Sequence, residues 1–325
     1  MTHDLSELID RINRELSAQT YGDKPYELYQ PIRYIMGLGG KRLRPLLAII
    51  ACQMYAEDVE AAIKPAMALE VFHNFTLMHD DIMDQAPLRR GEATVHEKFG
   101  GDVAILSGDV MMVKAYEMMM SLPDHSLRTG LAAFNRCASE VCEGQQMDMN
   151  FETREGVTIG QYLHMIRLKT AVLLGFSLEI GALIGGASEE DRLMLREFGQ
   201  QIGVGFQLKD DLLDVYGEQE KVGKQDGGDI VSNKKTFLLI TALQDAGRKS
   251  AEELNELLKQ ENFDKGEKVA SVRAIYDRLN IREKTEAKMN ECFDGAFSLL
   301  NRLSVPVEKQ QNLRYLANYL IERDK

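Results

Sequence analysis

Asp80, Asp81 and Asp84 share their spacing with Asp210, Asp211 and Asp214, and both sets sit among apolar residues of the kind that fill a core. At about 3.6 residues per turn, the first and third members of each set point the same way with the second beside them. Each set therefore makes one carboxylate-bearing helix face. Carboxylates near apolar surroundings lose hydration with little in return unless cations neutralise them. Sites built from a few carboxylates, with no clustered Cys or His, suit hard Mg²⁺, which also keeps positions open for phosphate oxygens. One such motif alone reads equally well as a solvated helix face or a cap cluster. Two copies in apolar helices favour a metal–phosphate function, each binding metal when a diphosphate bridges it.

Cations recur around these motifs. Gly39-Gly40 supplies a tight turn, and Lys41, Arg42 and Arg44 follow at once, with Pro45 able to start a helix. From Ala66 to Met83 the spacing predicts a helix apolar on nearly all sides, interrupted by Glu70, His73, Asn74 and Thr76. Pro87 should end it and deliver Arg89 and Arg90 to a loop at the mouth of the carboxylate site. Tyr162 and Lys169 lie seven residues apart, about two helical turns, so an ideal helix points both the same way. The plain alternative for Lys169 is a side chain reaching past apolar neighbours to water. Gln207 shares the face of Asp210, Asp211 and Asp214, as a ligand-side amide or a satisfied core amide. Between Glu218 and Lys235, Gly223, Lys224, Gly227, Gly228, Asp229, Lys234 and Lys235 leave scarcely an apolar residue. That stretch reads as a loop that closes over phosphate, or as a surface linker.

These residues need helices to hold them. No proline lies between Pro123 and Pro306, and the intervening chain is rich in Leu, Ala, Met, Glu, Lys and Gln. With 325 residues and 44% hydrophobic content, the expectation is a single all-α domain over residues 1–325, its two aspartate motifs on facing helices. Leu5, Leu8, Ile9, Ile12 and Leu16 mark an amphipathic first helix, and Phe237 to Lys325 reads as scaffold. A net charge of −12 argues against a general nucleic-acid binder. The four cysteines form no Cys-x-x-Cys pair, so reduced cytoplasmic thiols are expected. The N-terminus lacks the basic-then-apolar pattern of a secretory signal. Thr170 to Ala187 carries Glu179 and four glycines and reads as a buried helix, so no membrane span is expected.

The chain resembles the trans-polyprenyl diphosphate synthases, the head-to-tail prenyltransferases, over most of its length. The likeness rests on Gly39 to Pro45, Asp80 to Asp84 with Arg89-Arg90-Gly91, Lys169-Thr170, Phe206 to Asp214, and Gly223-Lys224 with Gly227 and Asp229, in the family's order. The resemblance implies an isoprenoid synthase-type helical bundle around a central cavity, and a homodimer. It implies that Asp80, Asp84 and Asp210 bind Mg²⁺ directly, that Asp81, Asp211 and Asp214 act through water, and that three ions bind. Lys41, Arg44, His73 and Arg90 look like the cradle for isopentenyl diphosphate, while Arg89, Lys169, Lys224 and Lys235 look like partners of the allylic diphosphate. Thr170 and Gln207 resemble the family's polar groups near the reacting carbons. The implied chemistry is ionisation of the allylic diphosphate and attack by the isopentenyl double bond.

Product length turns on Phe75 and Thr76. The family's short-chain enzymes carry an aromatic at the first of these positions, which implies fifteen- or twenty-carbon products. The missing two-residue insertion in the first motif inclines the reading to geranylgeranyl over farnesyl diphosphate. An ideal wheel places Thr76 about 90° from the centre of the aspartate face and Phe75 nearly opposite, and so gives no separate support. Phe72 and Met118 to Met120 are further floor candidates. Two other functions compete: a class I terpene cyclase, which needs no isopentenyl cradle, and a non-catalytic regulatory subunit, which has no need of two complete aspartate sets.

Overall fold

Leu5, Leu8, Ile12 and Leu16 fall on one side of α1 (His3–Ala18), and all of them are buried, as their helical spacing demands. The computed structural model describes residues 3–217, 227–260 and 262–322. After α1 come α2 (Tyr26–Gly37), α3 (Leu43–Gln53) and α4 (Glu60–Met83). Pro45 lies in the first turn of α3, where its missing N–H costs no helical bond. A two-residue ribbon follows, β1 (Leu88–Arg89) against β2 (Glu92–Ala93), then α5 (Val95–Phe99), α6 (Gly101–Met119) and α7 (Asp124–Thr153). α8 (Ile159–Ile166) runs through a π-helical turn, Arg167–Ala171, into α9 (Val172–Ile184), and α10 (Glu189–Tyr216) carries the second motif. Further helices span Gly228–Val231, Phe237–Asp245, Arg248–Lys259, Lys265–Arg278, Ile281–Leu300 and Gln311–Glu322. The all-α expectation holds.

The chain forms two compact units. The first comprises Met1–Cys137, Phe176–Arg196 and Leu303–Leu313. Within it α4 packs against α3 and α6, burying Val71, Phe72, Met78, Ala104, Met111 and Ala115. Gly181 of α9 lies against the backbone of Ala48, where a Cβ would sit 1.9 Å from a carbonyl oxygen. Glycine is what lets α9 and α3 approach so closely. Glu179, the charge inside that apolar helix, is buried and takes Arg136 at 2.8 Å.

The second unit comprises Ala138–Gly175, Glu197–Arg302 and Arg314–Lys325. One of its cores gathers Leu212, Val215, Leu238, Val272 and Tyr276. Another gathers Phe151, Tyr162, Met165, Ile166, Leu208 and Phe237. Among the described residues no helix is long and apolar enough to cross a membrane.

Candidate active site

The first motif ends α4. Asp81 turns inward and is 2% exposed, whereas Asp84 is exposed at the C-cap. Arg89 meets Asp81 on both carboxylate oxygens, Nε to Oδ2 at 2.8 Å and Nη2 to Oδ1 at 2.6 Å, and approaches Asp80 at 4.0 Å. The arginine was expected at a loop mouth. It instead occupies β1 of a hairpin whose two-residue turn is Arg90-Gly91, with φ 54° and 84°. Positive φ at both central residues is the geometry that matches strand twist in a tight hairpin. Arg90 thus leaves the turn in its own direction and donates to the carbonyl of Gly39.

Arg90 thereby joins the cations of the α2–α3 turn. Arg42 is buried and pairs with buried Glu70 at 2.7 Å, while Lys41 is exposed. Burial pushes the Arg44 guanidinium down to about 10. Its Nε is buried without a hydrogen-bond partner among the described residues. Burial, and then the positive charges of Arg44, Arg90, Arg89 and Arg42, hold the His73 imidazole well below its usual range and so neutral. Arg44, His73 and Arg90 therefore belong to one basic corner of the first unit, and Lys41 adjoins Arg42 in the chain.

Further along α4, Phe75 stands between Phe72, at 5.6 Å, and His79, at 4.8 Å between ring centroids. Phe72 continues to Phe134, and Phe134 to Phe176 and Tyr116. Thr76 turns its hydroxyl back to the carbonyl of His73, which leaves its methyl as its outward chemistry. Met118 and Met119 are buried, but Met120 is 64% exposed and does not belong to the aromatic cluster's floor.

In the second unit Asp211 is the inward-turning member, 4% exposed. Burial, and then the carboxylate of Asp229, push it up to about 7 against the hydrogen bonds it receives. Tyr162 donates its hydroxyl to Oδ2, and Gln207 Nε2 reaches Oδ1 at 3.3 Å. Thr170 Oγ1 lies 3.5 Å from Gln207 Oε1. The Asp214 carboxylate accepts the backbone N–H of Asp229 at 2.9 Å, capping the short helix Gly228–Val231.

Tyr162 and Lys169 do not share a face. Lys169 lies within the π turn and reaches Asp148 of α7 at 2.6 Å. Gly144 lets α7 and the π turn approach this closely, since a Cβ there would stand 2.2 Å from the backbone nitrogen of Lys169. Asp148 and Gly144 were missed because only the fold brings α7 to the π turn. Lys235 donates to the carbonyls of Phe151 and Glu152 at 2.6 and 2.9 Å, closing the last turn of α7. Lys224 and Gly223 lie outside the described residues.

A family model described as polyprenyl synthetase matches residues 25–278. The chain belongs to the polyprenyl synthetase family. It is 39% identical to a geranylgeranyl pyrophosphate synthase of Geoglobus acetivorans, over 98% of this chain and 99% of that protein. A crystal structure of geranylgeranyl pyrophosphate synthase matches with a TM-score of 0.94 at 39% identity, covering 99% of each chain. A third, the geranylgeranyl pyrophosphate synthase from Corynebacterium glutamicum complexed with isoprenyl diphosphate and magnesium, matches with a TM-score of 0.82 at 29% identity over 98% of this chain and 96% of that one. The isoprenoid synthase fold expected from the resemblance is the fold of this chain.

The donor chemistry of this polyprenyl synthetase fits magnesium. Among the described residues no three His, Cys, Asp or Glu side chains gather closely enough to enclose an ion by themselves. What each motif offers is a pair of carboxylates one turn apart, Asp80 with Asp84 and Asp210 with Asp214, outside the buried Asp81 and Asp211. Such incomplete, all-oxygen sets suit an ion that keeps most of its shell for water and phosphate.

Proposed function

We propose that this chain is a Mg²⁺-dependent trans-prenyltransferase that joins isopentenyl diphosphate head-to-tail to an allylic diphosphate, with geranylgeranyl diphosphate favoured over farnesyl diphosphate as product. The observation that carries the reading is the basic corner of Arg44, His73 and Arg90. A terpene cyclase ionises one diphosphate and has no use for a second cradle, whereas a condensing enzyme must hold a diphosphate that no metal bridges. The buried Arg44 Nε supplies a donor for such an anion. Both aspartate sets are complete, which supports a chain that turns over alone.

In this reading Asp80, Asp84 and Asp210 hold Mg²⁺ directly, and Asp81, Asp211 and Asp214 support them. When bound, three ions would supply the charge stabilisation that a departing diphosphate needs. Lys41, Arg44, His73 and Arg90 orient the isopentenyl head group. Arg89 and Lys169, the latter held by Asp148, are the cationic partners of the allylic diphosphate. The allylic C–O bond breaks and its electron pair leaves with diphosphate. The isopentenyl π electrons form the new C–C bond, and a proton lost from the adjacent carbon to a diphosphate oxygen restores the double bond. The aromatic cluster around Phe75 shields the cation from water and limits chain growth.

The reading treats residues 1–325 as one synthase domain. Of the five unit boundaries, those at residues 137/138, 175/176, 196/197 and 313/314 fall in helix and that at 302/303 in a turn, which supports this. It also makes the protein a cytoplasmic homodimer. α6 exposes Ile105, Leu106 and Val113, a greasy stripe suited to a second copy. Incubating purified protein with Mg²⁺, isopentenyl diphosphate and allylic primers, then sizing the dephosphorylated products, should give a twenty-carbon alcohol. A cyclic hydrocarbon, or activity only with a second polypeptide, would overturn the reading.

A further inference from the structure

Tyr162 is a deeply buried phenol, 2% exposed, that the reaction above does not use. Its hydroxyl donates to Oδ2 of Asp211, while Gln207 serves Oδ1 at 3.3 Å and Thr170 serves Gln207 at 3.5 Å. Both lines of donors begin in one stretch of helix, Tyr162 before the π turn Arg167–Ala171 and Thr170 within it.

The π turn explains how both arrive. At about 100° per residue, eight α-helical steps would leave Tyr162 and Thr170 about 80° apart. Widening of the helix through the π turn, in which Thr170 itself lies, lowers this angle. The same widening turns Lys169, also within the turn, further from Tyr162 than the roughly 20° of an ideal helix. Thr170 thus meets Gln207 and Lys169 meets Asp148, as the contacts record.

The chemistry of the donors differs between the two motifs. Asp81 is gripped by a guanidinium, which cancels its charge, whereas Asp211 is gripped by a phenol and an amide. Neutral donors fix a carboxylate's direction without pairing its charge directly. Burial holds the Tyr162 phenol well above its usual range, so it stays a donor.

We propose that Tyr162 is a positioning residue for the second acidic wall, fixing the Asp211 carboxylate from one side while Thr170 acts through Gln207 from the other. The inference rests on the metal-binding reading of Asp210, Asp211 and Asp214 given above. Tyr162 serves the metal rather than the isopentenyl cradle, so its loss weakens metal affinity selectively. Loss of such an outer partner costs roughly 10- to 100-fold in metal affinity.

The test titrates Mn²⁺ with inorganic pyrophosphate into full-length wild type and Tyr162→Phe by calorimetry, alongside the Mg²⁺ dependence of turnover and the KM for isopentenyl diphosphate. Tyr162→Phe should bind Mn²⁺–pyrophosphate about tenfold or more weakly and leave that KM within about twofold. Thr170→Val, which removes only a hydroxyl, should shift affinity in the same direction by less. In an Asp211→Asn background Tyr162→Phe should add almost nothing. Unchanged metal affinity with a lowered melting temperature would assign Tyr162 to packing and overturn the proposal, as would fully additive losses. Should wild type bind Mn²⁺–pyrophosphate yet make no prenyl product, the reaction assignment fails while the positioning role stands.

Discussion

Arg89 and Asp81 form a bidentate pair, 2.8 and 2.6 Å, although one stands in a hairpin and the other inside α4. Arg90, the next residue, goes the other way to Gly39. Two adjacent arginines thus serve different anions: Arg89 a carboxylate of the protein and, in the proposed function, the allylic diphosphate, and Arg90 the isopentenyl diphosphate head group.

Removing Arg89 leaves Asp81 as an uncompensated charge with 2% exposure. Arg89→Ala should lower unfolding free energy by roughly 3–5 kcal/mol, measured by urea denaturation, with much of the loss recovered in Arg89→Ala/Asp81→Asn. A cost indistinguishable from zero would show that the pair is only a surface contact.

Arg44 offers a buried Nε with no hydrogen-bond partner among the described residues. A hydrogen bond to a charged group is worth about 1.5–3 kcal/mol. Arg44→Met should therefore raise KM for isopentenyl diphosphate about 10- to 100-fold while leaving KM for the allylic primer nearly unchanged. Equal rises in both would remove Arg44 from the cradle.

His73 is held neutral, its pKa well below 6.5. The unfolded chain takes up this proton as pH falls below about 6.5 and the folded chain does not, so stability rises with pH across that window. His73's contribution is intact above about 6.5 and is lost below it, by up to about 1.4 kcal/mol per pH unit, until the folded value is reached. Urea unfolding at about pH 7 and pH 5.5 should show a larger loss in wild type than in His73→Asn. Equal losses would mean that His73 titrates normally in the fold.

Phe75 sits between Phe72 and His79. If its ring limits the growing chain, Phe75→Ala should shift products beyond twenty carbons, read by chromatography of the dephosphorylated alcohols. The same product distribution as wild type would place the floor elsewhere in the aromatic cluster.

The stripe on α6 makes a separate prediction. Val113 is 56% exposed, and a buried charge at a self-association face is costly. Val113→Glu should shift the light-scattering mass from dimer to monomer, and an unchanged mass would exclude this face.

The amino-acid sequence by itself determined the helical fold, the two aspartate faces and the cations of the Gly39–Pro45 turn. These follow from spacing, because helix geometry fixes which residues within a few positions share a face. It also marked the middle member of each motif as part of an acidic face, but not as the buried one. Only the tertiary structure decided the partners: Arg89 for Asp81, Tyr162 and Gln207 for Asp211, Asp148 for Lys169, and the α7 carbonyls for Lys235. Tyr162 and Lys169 show the reason most clearly. An ideal helix puts them on one face, and a single π turn, invisible in residue spacing, parts them by changing the register at that point. Contacts made across 49 residues, as between Tyr162 and Asp211, depend on packing between distant segments, which periodicity along the chain does not encode.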